Sequence, residues 1–238
     1  MRISTWNLQG RNYDNNCSSF AEAKNRMVNY GIDVLCLQEA GNLFRIIEQR
    51  YWHVLATNFF VTELSIGTQT RSIDVCIYYY VWGTADLRCS MAILVRKNLD
   101  PKDSVIFEPM NGTRSVFGII VNNNLAVYNI HAPSGVPSHI SGRYVYNTLQ
   151  EIRYLQQHYV IPGIILTGDF NCSPDILLQS VNPLPYNIYC PMHNGRFIPT
   201  QISGNCLDYC ITSVVIQAVN VLNDNQAYSD HFQVLFDY

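Results

Sequence analysis

The stretch Gly163-Ile164-Ile165-Leu166-Thr167-Gly168-Asp169-Phe170-Asn171 ends an apolar run in a carboxylate and a carboxamide two residues apart. A short run of β-branched residues bounded by glycine predicts a buried strand. Side chains alternate along a strand, so Asp169 and Asn171 point one way and Phe170 points back into the core. Such a pair can hold a hard metal, a water and a phosphate oxygen, the groups used to hydrolyse phosphate esters. The same residues also suit a strand end followed by an Asx turn. Other chemistry-bearing residues stand near predicted strand ends: Asn7, Glu39, His131, Asp208, Asp230 and His231. Glu39 reads as the principal Mg²⁺ ligand, with Asn7 orienting it or touching the ion and Asp230 as a second carboxylate. His131 and His231 suit general acid/base work near neutral pH, and Asp208 is the candidate acceptor that orients His231. Arg88 and Arg114 sit at strand starts and could clamp phosphate oxygens. Each residue alone has an ordinary alternative, such as a solvated charge or a turn residue. His53, His139, His158 and His193 read as surface or loop histidines.

The elements that must position these groups follow from periodicity. Strands are predicted over Arg2 to Leu8 (stopped by Gly10), Asp33 to Glu39, Tyr51 to Phe60, Ser72 to Trp82, Ser90 to Arg96 and Phe232 to Phe236. Two more, Val116 to Asn122 and Leu125 to His131, form a hairpin about Asn122-Asn123-Asn124. Cys206 to Val215 is a further strand, carrying Asp208. Helical spacing marks Ser18 to Tyr30 with Gly31 as its stop, then Leu43 to Arg50 and Tyr144 to Tyr159. Many strands with few helices predict an α/β chain of mixed sheets, two sheets face to face with helices outside. If the sheets share one rim, the polar strand ends form one site.

Composition bounds the rest. With 238 residues, 48% hydrophobic and 14% charged, the chain can build a large core and is not disordered. A net charge of −3 supplies no global field for nucleic acid, so local arginines and a metal must neutralise any polyanionic substrate. No apolar run is long enough to span a bilayer, and no signal peptide is visible, which leaves a cytosolic chain or a mature form without its leader. The eight cysteines form no metal-ligand pattern. Cys36 and Cys76 lie in strand-like runs; Cys172 and Cys206 meet only if their loops converge.

Trp6-Asn7, Leu37-Gln38-Glu39, Gly168-Asp169-Phe170-Asn171, Leu207-Asp208-Tyr209 and Ser229-Asp230-His231 occur in this order. That order resembles the endonuclease/exonuclease/phosphatase superfamily, from Asn7 to His231. Within it the chain resembles the catalytic B subunit of cytolethal distending toxins, including the typhoid-toxin form. That likeness rests on Trp6 to Gly10, Gln38 to Gly41, Arg88 with Met91 to Arg96, His131-Ala132 with Ser134-Gly135, and Pro199 to Ile202. Pro133 and Val136-Pro137-Ser138 depart from the toxin pattern.

The resemblance implies a four-layer αββα sandwich, one domain over residues 1–238, and Mg²⁺-dependent cleavage of DNA, other divalent cations also being possible. It implies Glu39 as metal ligand, His131 and His231 as catalytic histidines, Asp208 as partner of His231, and Asp169, Asn171 and Asp230 as remaining site residues. Arg88 and Arg114 would grip DNA phosphates, and Cys172 and Cys206 would form a disulfide. Delivery or binding toxin subunits would be partners of a secreted toxin acting in the nucleus of a target cell. The open alternatives are a phosphoinositide phosphatase on the same site, a housekeeping nuclease without a toxin role, and a non-catalytic binding module.

Overall fold

Alternation along two central strands builds the layers. The computed structural model describes residues 1–9, 18–83, 87–110, 113–180, 184–223 and 228–238. One sheet contains β1 (Arg2–Asn7), β2 (Val34–Gln38), β3 (His53–Ala56), β4 (Phe59–Thr68), β5 (Arg71–Tyr80), β6 (Met91–Arg96), β15 (Ala218–Leu222) and β16 (Gln233–Asp237). Its order is β15-β16-β1-β2-β6-β5-β4-β3. The second holds β7 (Lys102–Phe107), β8 (Val116–Val121), β9 (Leu125–His131), β10 (Gly163–Asp169), β11 (Asn187–Tyr189) and β14 (Asp208–Thr212), in the order β11-β14-β10-β9-β8-β7. A ribbon of β12 (Met192–His193) and β13 (Arg196–Phe197) stands apart. Val34 and Cys36 of β2 face the second sheet, while Leu35 and Leu37 face α1 (Ser18–Asn29) through Phe20 and Met27. Likewise Ile165 of β10 packs between the sheets, and Ile164 and Leu166 face α2 (Ser138–His158). These three buried clusters make the αββα sandwich expected from the sequence. A short α3 (Pro174–Ser180) flanks α2.

The parallel pairs decide where the site is. β1 and β2 run parallel with α1 between them in sequence, and β9 and β10 run parallel with α2 between them. Their registers end on Asn7 beside Gln38 and on His131 beside Asp169, and antiparallel β14 sets Asp208 opposite Asp169. The carboxyl ends of parallel strands are where open α/β sheets place ligands. Gly168 allows that approach: at φ 152° a Cβ there would stand 1.9 Å from the Ile130 carbonyl oxygen.

Several boundaries differ from the expected ones. Leu43 to Arg50 is not one helix but two 3₁₀ turns, Leu43–Arg45 and Gln49–Tyr51. Tyr51 to Phe60 is not one strand, because Asn58 turns left-handed (φ 59°) and folds β3 onto β4. β7, β11, β15 and α3 were not anticipated; β7 carries a polar start with a register shift that obscures alternation. α2 begins six residues earlier than Tyr144, since Ser141 and Gly142 of its first turns are buried without being apolar. The Asn122-Asn123 hairpin forms as expected, both residues being left-handed. Gly10, read as the stop of the first strand, lies outside the described residues.

A buried polar lattice joins the sheets. Gln38 Nε2 of β2 donates to Asn129 Oδ1 of β9 at 2.7 Å. Asn129 Nδ2 donates back across the interface to the carbonyls of Leu37 and Ala92, each at 3.0 Å. Replacing Asn129 by Leu takes one partner from Gln38, which keeps Thr5, and the side-chain donor from two carbonyls in a dry core. Asn129→Leu is therefore expected to cost roughly 3 kcal/mol of stability, measured by urea unfolding; a variant as stable as wild type would show the lattice is dispensable.

Candidate active site

The rim residues form a continuous run of charges across both sheets. His131 Nε2 lies 3.7 Å from Glu39 Oε1 and 3.7 Å from Asp169 Oδ2. Asp169 Oδ2 lies 3.8 Å from His231 Nε2, and His231 Nδ1 meets Asp208 Oδ2 at 2.8 Å. Asp230 Oδ1 stands 3.8 Å from the same His231 Nε2. Glu39, His131, Asp169, Asp208 and His231 are all buried. The two imidazoles and Glu39 therefore share one lip of the stacked sheets, although 192 positions separate Glu39 from His231 in sequence (231 − 39).

Each side chain has its own support. Glu39 sits in a left-handed bend (φ 46°) immediately after β2. Asn7 at the end of β1 donates from Nδ2 to Asp169 Oδ2 at 2.9 Å, while its Oδ1 accepts from the Gln9 amide. It thus orients Asp169 rather than Glu39. The Asn171 amide donates to Asp169 Oδ1 at 2.9 Å with Asn171 left-handed, so the Asx turn and the functional pair are the same structure. Asn171 Nδ2 donates to the Ala132 carbonyl, fixing the chain just past His131. Phe170 turns inward as expected and stacks on Tyr209, ring centroids 4.0 Å apart. The Asp230-His231 segment is pinned to β1: Trp6 Nε1 donates to the His231 carbonyl, and Ser229 Oγ to the Asn7 carbonyl. Thr200 Oγ1 accepts from the amides of Leu207 and Asp208, which sets the start of β14.

The arginines differ. Arg88, in a 3₁₀ turn before β6 and half exposed, lies 3.1 Å from Glu39 Oε2. Arg114 is partly buried and donates to the Ala132 carbonyl at 3.0 Å, so part of its guanidinium positions backbone beside His131. Cys172 and Cys206 are both free thiols, and the implied disulfide is not formed. Cys172 Sγ instead faces the Tyr209 hydroxyl at 3.7 Å.

Electrostatics separate the two histidines. Burial, with Arg114, His231 and Arg88 nearby, holds His131 well below its ordinary range, so it is neutral at pH 7. Burial also acts to lower His231, but the charge and hydrogen bond of Asp208, with Asp169 and Asp230, outweigh it and push the group up to about 10. Burial raises Asp169 to about 6; Asp208 adds to the rise, and His231, Asn7 and Asn171 oppose it.

A cation fits this donor set. Glu39 Oε2, Asp208 Oδ1 and Asp230 Oδ1 are buried carboxylate oxygens with no hydrogen bond among the described residues. Asp169, Asp208 and His231 also offer ligand atoms within 4.8 Å of one another and could hold a metal ion. Asp208 Oδ2 and His231 Nδ1 are already spent on each other, which leaves the carboxylate oxygens of Asp169 and Asp208, the kind a hard ion prefers, and the His231 Nε2.

Sequence reasoning missed Gln9, Thr200, Gln201 and Ser229 as individual supports. All four lay within motifs that carried the resemblance, which was the one signal available for them.

A family model described as Endonuclease/Exonuclease/phosphatase family matches residues 4–231. No curated protein matches the chain significantly. Among solved structures, the chain is similar to Haemophilus ducreyi cytolethal distending toxin at 23% identity and a TM-score of 0.77, covering 99% of this chain and 97% of the other. CdtB, described as the biologically active subunit of cytolethal distending toxin, gives 22% identity, a TM-score of 0.72 and coverages of 99% and 96%. Truncated TDP2 of Caenorhabditis elegans gives 13%, 0.64, 100% and 97%. At these identities the likeness is one of fold.

The raised His231 has a consequence for stability. Between its ordinary value of 6.5 and about 10, the folded chain keeps a proton that the unfolded chain releases, so stability falls as pH rises through that range. Urea unfolding from about pH 7 to about pH 8, below the ordinary thiol value, is expected to show this loss, at most about 1.4 kcal/mol per pH unit. Asp208→Asn should flatten the slope; an unchanged slope would remove Asp208 as its cause.

Proposed function

The chain belongs to the Endonuclease/Exonuclease/phosphatase family, and from that premise we propose that it is a Mg²⁺-dependent endodeoxyribonuclease, the catalytic subunit of a cytolethal distending toxin-like toxin. The observation that carries the reading is the run from Glu39 through His131 and Asp169 to the Asp208–His231 pair along one rim. The fold likeness to cytolethal distending toxin supports the toxin assignment. In this reading residues 1–238 act as one domain, secreted and carried by separate delivery or binding subunits to the nucleus of a target cell. Among the described residues no helix is long and apolar enough to cross a membrane.

Glu39 and Asp230 are the proposed cation ligands: Asp230 brings an oxygen without a hydrogen bond, and Glu39 one that makes no hydrogen bond but is ion-paired with Arg88. A bound divalent ion supplies Lewis-acid charge against the phosphodiester. The chain's own groups divide the proton work. Asp169, raised to about 6, is the proposed base for the attacking water. His231, kept protonated by its carboxylates, donates from Nε2 to an oxygen of the departing or phosphoryl group. His131 is neutral and buried, and its Nδ1 has no partner among the described residues. We assign its other ring nitrogen, Nε2, which faces Glu39 and Asp169 along the rim, to a hydrogen bond with the substrate. Asn171 spends one N–H on Ala132 and has a second to offer a phosphoryl oxygen. Arg88 and Arg114 hold charge that grows on the phosphate.

Supercoiled plasmid with Mg²⁺ tests the reading. Wild type is expected to nick it, and chelator to stop it. Glu39→Ala and His231→Ala should each lose at least about 100-fold in rate while remaining folded. Phosphate release from inositol lipids, run beside it, decides the phosphatase alternative: release without nicking would replace the nuclease assignment.

A further inference from the structure

One side chain beside His231 has no role in the proposed chemistry. Gln201 follows Thr200 in a turn, and its Nε2 lies 3.2 Å from His231 Nε2 and 3.5 Å from Asp230 Oδ2. Its other amide atom is held as well: Ser203 Oγ donates to Gln201 Oε1 at 2.6 Å, and Asn205 Nδ2 donates to Ser203 Oγ at 3.0 Å. The relay runs from exposed Asn205 and Ser203 inward to the buried imidazole.

The turn does not need this side chain. Gly204 donates to the Gln201 carbonyl and Gln201 to the Asn205 carbonyl. The amides of Ile202 and Phe232 tie the turn to the Asp230 and Thr200 carbonyls. Backbone bonds therefore dock the turn on the Asp230-His231 segment, and the carboxamide is left for the site.

We infer that Gln201 is a positioning residue: it fixes the ring plane of His231 at the atom opposite Asp208 and holds that ring in register with Asp230. The inference rests on the assignment of His231 to the reacting centre. A ring held only through Nδ1 can tilt about that bond, and reacting groups must be held to within a fraction of an ångström. The residue type fits the task. A carboxamide offers both a donor and an acceptor. Turned over, Gln201 accepts from the protonated Nε2 of the resting ring; as placed, it donates to Nε2 once that proton has been given up. Ser203 can donate or accept, so the relay survives either orientation. A lysine or an aspartate could serve only one form of the imidazole.

The test uses the full chain with Gln201→Ala, and with Gln201→Asn, which keeps the amide but falls one methylene short. Two readouts are taken: steady-state nicking of supercoiled plasmid with Mg²⁺, and the ¹⁵N resonances of the imidazoles in the metal-free protein. Both variants are expected to melt like wild type, to lose about tenfold in kcat with KM within about twofold, and to shift the His231 Nε2 resonance while leaving His131 unmoved. Wild-type kcat, a loss carried by KM alone, or an unmoved His231 resonance would each overturn the inference. Should the wild-type chain fail to nick DNA, the nuclease reading falls, and the resonance alone then decides whether Gln201 holds the ring.

Discussion

Asn129 belongs to the sheet that carries His131 and Asp169, yet its carboxamide bonds all end on the other sheet. Apolar packing between two sheets is non-directional and tolerates sliding. A buried carboxamide does not, because losing its partners leaves several polar groups unpaired in a dry interior. The Gln38–Asn129 lattice lies one strand step from Glu39 on one side and two from His131 on the other. It therefore sets the distance between the sheet that brings Glu39 and the sheet that brings His131. Asn7 and Asp169 repeat the device at the rim itself, again with one partner from each sheet. The candidate site is a property of the interface, and neither sheet holds it alone.

That dependence explains how two histidines 100 positions apart (231 − 131) come to differ in charge while sharing one carboxylate. His131 ends a fully buried strand with two arginines in electrostatic range. His231 sits in a segment pinned to β1 and is faced by Asp208, Asp169 and Asp230. The same burial acts on both, and the sign of the neighbouring charges decides the outcome. In the proposed reading this contrast makes His231 the charged proton donor and leaves His131 a neutral hydrogen-bonding group, with Asp169 between them.

Most of the strands that carry the site were legible because their signals are local. Apolar runs ending in a polar residue identify β2, β9 and β10, and the double asparagine identifies the β8–β9 hairpin. Asp169-Phe170-Asn171 was legible in both of its readings, which proved to be one structure. What was hidden depends on tertiary partners. No period distinguishes Asn129 from an ordinary polar residue in a strand, since its partners come from residues 37, 38 and 92. The role of Gln201 is hidden for the same reason, although its motif carried the resemblance. Asn58 breaks an apolar stretch with a left-handed bend that a single asparagine does not announce. The pairing of Cys172 with Cys206 failed because it came from likeness, while the actual neighbour of Cys172 is a tyrosine brought in by β14.

The charge balance of the rim has a last consequence. Glu39, Asp169, Asp208 and Asp230 face a site whose arginines are already engaged: Arg88 with Glu39, and Arg114 with the Ala132 carbonyl. With a net charge of −3, the chain supplies no wider field to draw in a phosphodiester. A phosphate that takes Arg88 from Glu39 leaves a buried carboxylate to be satisfied, and a cation that satisfies Glu39 releases Arg88 toward solvent, where it is already half exposed. In the proposed reading the two occupants would favour each other through one ion pair, and linkage makes such a coupling reciprocal. An acidic protein can in this way prefer an anionic substrate, because the site's affinity for phosphate depends on what else it has bound.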